Sequence, residues 1–263
     1  MKIYARTTRI HDPKAGQVPY NRNVALAIEG FHEMGFEIVF YSNVHDILDQ
    51  FEYGDILLDG IDQINTVLGK FDLQMPKFDY PEELSPYFGR KIWKDTINHI
   101  SRTPEIWPVF VKPTTSEKAF TGVLVKSPRD LIGCGSCYEN YEVYCSEPVE
   151  FVYEVRGLCY YGKLLDLRPY KGDWKYASKL DTKLIEKAAN TYFESESALN
   201  GCTLDFGVTK DGRTLFIEGN GGAAFGPYST NATQYAKIIS AYMSQIYGIK
   251  DECKFDSLDY ERE

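Results

Sequence analysis

The sequence predicts an α+β fold, with a small α/β unit at the N-terminus and a strand-rich body behind it. Three observations predict it. Strand and helix patterns alternate up to about residue 85, strands dominate from about 106 to 170, and TLDFGVTKDGRTLFIEGN reads as a late hairpin ahead of an amphipathic helix. At 263 residues the chain exceeds the usual single-domain size and can bury a substantial core.

The elements follow in order. Val24, Ala27, Ile28, Phe31 and Met34 fall at helical spacing, Gly35 is a stop, and FEIVFY then reads as a buried strand. DILLDG is a second strand, so strand, helix and strand form a parallel unit over 1–85. Three prolines between Met75 and Pro86 mark a linker. A short helix carrying Lys91 and Lys94 is expected next. The strands IWPVFVKP, GVLVK, EVYCSEPVEFVYEVRGLCYY and KLLDLRPY follow, with a turn at Tyr160-Tyr161-Gly162-Lys163. A helix over 181–195, capped by Asp181 or Thr182, turns Leu184, Ile185, Ala188, Ala189 and Tyr192 inward. Another at about 230–247 buries Tyr235, Ile238, Ile239, Tyr242 and Ile246. These signals divide the chain at 1–85, 86–147, 148–250 and an acidic, mobile tail over 251–263.

Composition excludes several classes. With 38 acidic against 29 basic residues the net charge is −9, which argues against a broad nucleic-acid or anionic-membrane footprint. No signal-like N-terminal apolar region and no apolar run of membrane-spanning length is present, so a cytoplasmic location is expected. Six cysteines are too sparse for a disulfide scaffold, and Cys134-Gly-Ser-Cys137 lacks a second ligand pair for zinc. The four histidines form no metal motif.

The hairpin carries the chemistry. Asp211-Gly212 predicts a two-residue turn, which sets Asp205 opposite Glu218. Alternation then puts Asp205, Glu218 and Asn220 on one face, with Phe206, Val208, Leu215 and Ile217 on the other. Opposed Cβ atoms lie about 4.5–5.5 Å apart. Two carboxylates at that distance repel unless a cation lies between them, and two carboxylates with an amide suit a hard divalent ion. A solvated polar face is the alternative reading.

Other charges punctuate the strands. Lys112 ends the apolar strand VFVKP, and the loop TTSEKAFTG supplies Lys118; together they form either a phosphate-facing flap or an ordinary strand end and loop. Glu147-Pro148 interrupts the strand run at a change of direction. Glu154 and Arg156, two apart, share a strand face as ligand contacts or as a structural ion pair. Arg168, Lys175 and Lys179 add positive charge beyond the next strand, in RPYKGDWKYASK, a run that otherwise reads as a solvated loop. Arg6, Arg9, Tyr20 and Arg22 are either carboxylate-binding or surface residues.

The order of these motifs resembles the ATP-grasp superfamily. VFVKPTTSEKAFTG, EFVYEVRGLCYYGKLLDLRPY and LDFGVTKDGRTLFIEGN look like the clade named for one arginine and two lysines, over about 90 to 230. The resemblance implies an ATP-grasp fold, two α+β lobes clasping ATP, with 86–147 and 148–250 as the small and large lobes. Lys112 would then contact the ATP phosphates, Lys118 would close over them, and Lys94, or Lys91 beside it, would be the earlier phosphate lysine. Glu147 and Val149 would line the adenine pocket, Glu154 would hold the ribose, and Arg156 and Arg168 would face the triphosphate or an acyl-phosphate. Asp205, Glu218 and Asn220 would hold Mg²⁺.

The implied activity is an ATP-dependent carboxylate–amine or carboxylate–thiol ligase that releases ADP and phosphate. Its substrate would be an amino acid or peptide carboxylate with an amine acceptor, and no nucleic acid or membrane partner is implied. A phosphotransferase on the same fold and a nucleotide-binding module without turnover are the alternatives.

Overall fold

The computed structural model describes residues 1–8, 18–114, 120–134 and 140–254. Arg9, Lys118 and Cys137 lie outside these residues, as does the tail beyond Lys254.

The N-terminal unit comprises β1 (Ile3–Arg6), α1 (Arg22–Glu33), β2 (Ile38–Tyr41), β3 (Ile56–Leu58) and α2 (Ile61–Gly69), with a parallel sheet in the order β2-β1-β3. Helix α1 starts where the Asn21 side chain accepts the Val24 N–H, and its chain reverses at Gly35 in the left-handed region (φ +84°). FEIVFY was expected to be buried. As the sheet edge, β2 instead leaves Phe40 exposed.

Lys91 and Lys94 do not lie on a helix. Ile92–Thr96 form β4, a strand fixed by its antiparallel pairing with residues 142–146 rather than by any periodicity of its own. Helix α3 (Ile97–Arg102), β5 (Val109–Pro113), β6 (Val123–Val125) and β7 (Glu142–Ser146) complete this lobe, with antiparallel pairs in the order β4-β7-β5-β6. Its core is separate, built on Ile100, Val109, Val111, Val125 and Val143.

The second antiparallel sheet contains β8 (Phe151–Tyr160), β9 (Lys163–Gly172), β10 (Gly201–Thr209) and β11 (Thr214–Gly221), in the order β11-β10-β8-β9. Tyr161 and Gly162 both adopt positive φ, as a tight hairpin between β8 and β9 requires. Helix α4 (Thr182–Phe193) is capped by Asp181, whose carboxylate accepts the Leu184 N–H, and α5 (Ala232–Tyr247) is capped by Asn231.

The N-terminal unit and this second sheet share one continuous core, in which Phe31 and Ile64 cluster with Phe206, Tyr235 and Ile239. Helix α1 crosses the start of α5 so closely that a Cβ on Gly30 would lie 2.1 Å from the Ala232 carbonyl oxygen. Gly30→Ala should therefore cost about 2–3 kcal/mol, read as a lower midpoint in urea denaturation, because backbone cannot yield as a flexible side chain does.

The acidic tail does not begin at 251. Asp251 and Cys253 are buried, and the Asp251 carboxylate accepts hydrogen bonds from Ser240 Oγ (2.5 Å), the Cys253 N–H (2.9 Å) and Tyr161 OH (3.0 Å). A charged side chain so satisfied anchors the chain end to the body as far as Lys254.

Candidate functional site

The β10–β11 hairpin sets Asp205 opposite Glu218, by a route different from the predicted one. The loop has three residues, Lys210, Asp211 and Gly212, closed by Thr209 N–H to Arg213 O (2.9 Å) and with Gly212 at φ +86°. Phe206 therefore faces Phe216, one residue off the predicted partner. A bulge at Ile217 restores the register, so that Asp205 pairs with Glu218 and Thr203 with Asn220. Two one-residue shifts cancel.

The bulge also moves residues between faces. Phe206 meets Phe216 edge-on, at 5.5 Å between centroids, whereas Ile217 lies on the Gly207 side: a Cβ on Gly207 would be 3.0 Å from Ile217 Cδ1. Leu215, paired with Gly207, shares that side, so neither residue joins Phe206 and Val208 as expected. Arg90 spans the irregularity, donating to the carbonyls of Phe216 (2.7 Å) and Ile217 (3.0 Å). Edge-strand carbonyls at a bulge need such a donor.

A row of charges crosses the whole sheet. Arg168 on β9 pairs in register with Arg156 on β8, Arg156 with Asp205 on β10, and Asp205 with Glu218 on β11. Arg156 does not stand free toward a ligand. Its Nε and Nη2 donate to the two Asp205 oxygens at 2.8 and 2.7 Å, and Nη1 donates to Gly226 O at 3.3 Å. Its guanidinium also lies 5.0 Å from the Tyr228 ring centre, and Tyr228 stacks on Tyr170. The Asp205 carboxylate is 1 % exposed, and burial pushes it up to about 6 despite Arg156, with Glu218 adding to the rise. Arg168 pairs with Asp166, while its buried Nε has no protein partner. Glu154 pairs with Lys171 (2.7 Å) rather than with Arg156, and is buried.

The first sheet reaches this row through Lys112. Its Nζ lies 2.7 Å from Glu218 Oε2 and 2.6 Å from Asp79 Oδ1, with the Tyr80 ring at 4.6 Å and the Tyr144 ring at 5.9 Å. Burial opposes the charge, but Glu218, Tyr80 and Asp79 outweigh it and hold the lysine pKa above its ordinary value. Register joins Lys94, Tyr144 and Lys112 in one line, so Lys94 shares the Lys112 face. Lys91 turns to the other face, over Trp93. Lys94 is half exposed and 3.4 Å from Glu142.

The remaining candidates are dispersed. The Glu147 carboxylate accepts the Lys91 N–H (2.9 Å), which ties the change of direction to β4. Val149 lines an open hollow of about 430 Å³ with Glu150 and Lys210. Arg6 is held by Asp59 (3.0 Å) and stacks on Tyr20, while Arg22 is exposed. A cavity of about 280 Å³ opens between Asn23, Asp59 and Asp62 of the N-terminal unit and Ala223, Ala224 and Ile239.

Sequence reading missed Asp79, Tyr80, Arg90 and Tyr144. Asp79 lies in the proline-flanked stretch read as a linker, yet its carbonyl accepts the Gly219 N–H at 2.8 Å, alongside β11. The alternation Phe78-Asp79-Tyr80 was the available signal.

Among the described residues no group of three or more His, Cys, Asp or Glu side chains forms a metal cluster. The donors in question are two carboxylates and an amide on one face; the buried Asn220 Nδ2, an N–H donor, has no protein partner, and it is the amide oxygen that a cation would take. Each carboxylate keeps lone pairs beyond those its cation uses. The set fits a hard divalent cation.

The solved structures similar to this chain include D-alanine–D-alanine ligase from Bacillus anthracis, at 14 % identity and TM-score 0.53, over 94 % of this chain and 99 % of that one. N5-carboxyaminoimidazole synthetase from Staphylococcus aureus is similar at 12 % identity and TM-score 0.55, over 96 % and 78 %. L-amino acid ligase from Bacillus licheniformis is similar at 10 % and 0.56, over 98 % and 78 %. At such identities the likeness is one of fold. No curated protein matches the chain. Among the described residues no helix is long and apolar enough to cross a membrane. The family model for the ATP-grasp domain, R2K clade family 2, matches residues 87–238, more than half the chain and the whole of the charge row, and the chain belongs to that family.

Proposed function

We propose that the protein is an ATP-dependent carboxylate–amine ligase that works through an acyl-phosphate. The observation that carries this reading is the meeting of the two sheets at Lys112 and Glu218, 2.7 Å apart, at the end of the Arg168–Arg156–Asp205–Glu218 row. Cations and oxygen donors facing each other across two lobes suit a polyphosphate rather than a covalent intermediate on the protein.

In this reading Lys112 and Lys94 bind phosphate oxygens, and Lys118 is assigned to them from the sequence resemblance alone. A substrate carboxylate oxygen attacks the γ-phosphorus, the bond to the β,γ-bridging oxygen breaks, and ADP leaves. An amine then attacks the acyl carbon, the carbon–oxygen bond to phosphate breaks, and the nitrogen loses a proton. Asp205, Glu218 and Asn220 would hold a divalent cation, which neutralises phosphate charge when bound. Arg156 acts by fixing Asp205 and the Gly226 carbonyl, and Arg168, paired with Asp166 through Nη2 but with its Nε unpartnered, is the arginine that would face the acyl-phosphate. The substrate cavity is the one between Asp59, Asp62 and Ala223, sized for an amino acid or the end of a peptide.

Hydroxylamine trapping tests the reaction. With ATP, Mg²⁺ and a panel of amino acids and peptides, the enzyme should release ADP and yield an acyl hydroxamate. AMP and pyrophosphate, or stable phosphate on a hydroxyl acceptor, would overturn the ligase reading.

A further inference from the structure

Residues 78–80 are more than a connection between the N-terminal unit and the first lobe. The Asp79 carbonyl accepts the Gly219 N–H at 2.8 Å, so the segment lies along the open edge of β11, one residue from Glu218. Phe78 packs where a Cβ on Gly219 would stand 2.7 Å from its ring, and stacks at a tilt on Tyr192, 5.0 Å between centroids. Tyr80 meets Tyr144 of β7 at 4.9 Å and Phe88 at 5.8 Å. Three aromatic contacts and one backbone bond thus set Asp79 against Lys112, at 2.6 Å.

The electrostatics at that point are lopsided. One ammonium serves two carboxylates, Asp79 and Glu218, and lies under the Tyr80 ring with 13 % of its side chain exposed. Lys112 has three N–H donors and carries a point charge, so a phosphate oxygen and two carboxylates compete for one cation. Glu218 has a further role in the proposed site, toward a divalent cation. Asp79 has none. Once phosphate takes Lys112, the Asp79 carboxylate faces an anion at close range, partly screened from water, where repulsion is stronger than at an exposed surface.

Resting on the nucleotide reading above, we infer that Asp79 is an internal competitor for phosphate at Lys112 and that the 78–80 segment is a strap displaced when nucleotide binds. The carboxylate occupies the lysine as a phosphate oxygen would, and the strap's edge bond to Gly219 breaks as Asp79 withdraws.

The test compares wild type with Asp79→Asn, titrated by calorimetry with the Mg²⁺ complex of adenosine 5′-(β,γ-imido)triphosphate and separately with adenosine. The substitution keeps the side-chain shape and removes the charge. The imidotriphosphate should bind about tenfold more tightly, and adenosine should bind unchanged because it brings no phosphate to Lys112. In a Lys112→Ala background the gain should vanish. Hydrogen exchange gives an independent reading: the Gly219 N–H should exchange faster in wild type when the imidotriphosphate is added. Unchanged or weaker imidotriphosphate binding by Asp79→Asn, an equal change for adenosine, or added protection at Gly219 would overturn the strap while leaving the nucleotide site standing. Failure of wild type to bind the imidotriphosphate would overturn the nucleotide reading and this inference together.

Discussion

Arg156→Met should destabilise the protein by about 3–5 kcal/mol in urea denaturation without nucleotide or divalent cation. The reason lies in its partner. Asp205 is 1 % exposed and receives both of its short charge-assisted hydrogen bonds from this guanidinium, so removing the arginine leaves a carboxylate buried without a counter-charge. The Gly226 carbonyl loses a donor as well, and the stacked Tyr170 and Tyr228 lose the cation beside them. Replacing both partners, as Arg156→Met with Asp205→Leu, should recover most of that loss, since a buried pair contributes little beyond an apolar pair of similar volume. The double-mutant cycle then isolates the coupling. An arginine whose main role is to meet a ligand would show the opposite pattern, weak nucleotide binding with near-normal stability, and a loss below about 1 kcal/mol would support that role.

Lys112→Ala should lower kcat for ADP release by about a hundred- to a thousandfold, the scale on which losing one preorganised charge at a transferring phosphoryl group acts. Stability should fall by much less than for Arg156, because Asp79 and Glu218 keep 28 % and 31 % of their side chains exposed and water can solvate both. Lys112→Arg should rescue poorly. The ammonium sits between two carboxylates and the Tyr80 and Tyr144 rings, and the planar guanidinium fork cannot take the place of a compact point charge there. Single-turnover measurement of ADP checks the step itself, and rates within tenfold of wild type would remove Lys112 from the chemistry.

The sequence made much of this legible where the determinants are local. Alternation placed Asp205, Glu218 and Asn220 on one face, and the Asp181 cap is a side chain acting within three residues of itself. Reading failed where two local signals compete. Asp211-Gly212 suits a two-residue turn, but Thr209 binds Asp211 and Arg213 and closes a three-residue loop instead. The error would have flipped Glu218 had the bulge at Ile217 not restored the register, and that bulge is stabilised by Arg90, a residue with no sequence signature of the role. The segment around Lys94 has too few residues for either period to dominate on inspection, and only its pairing with β7 decides for a strand.

By itself the sequence determined which residues carry oxygen donors and cations, and the strand positions that turn them toward one another, because side-chain alternation depends only on the backbone of a few neighbouring residues. Tertiary structure alone decided how those charges are satisfied. Arg156 neutralises Asp205 from 49 residues away and Lys112 reaches Glu218 across 106, while Asp79 enters from a stretch that reads as linker. Charge compensation acts through space, so its outcome depends on sheet order and strand packing, which no window of sequence contains.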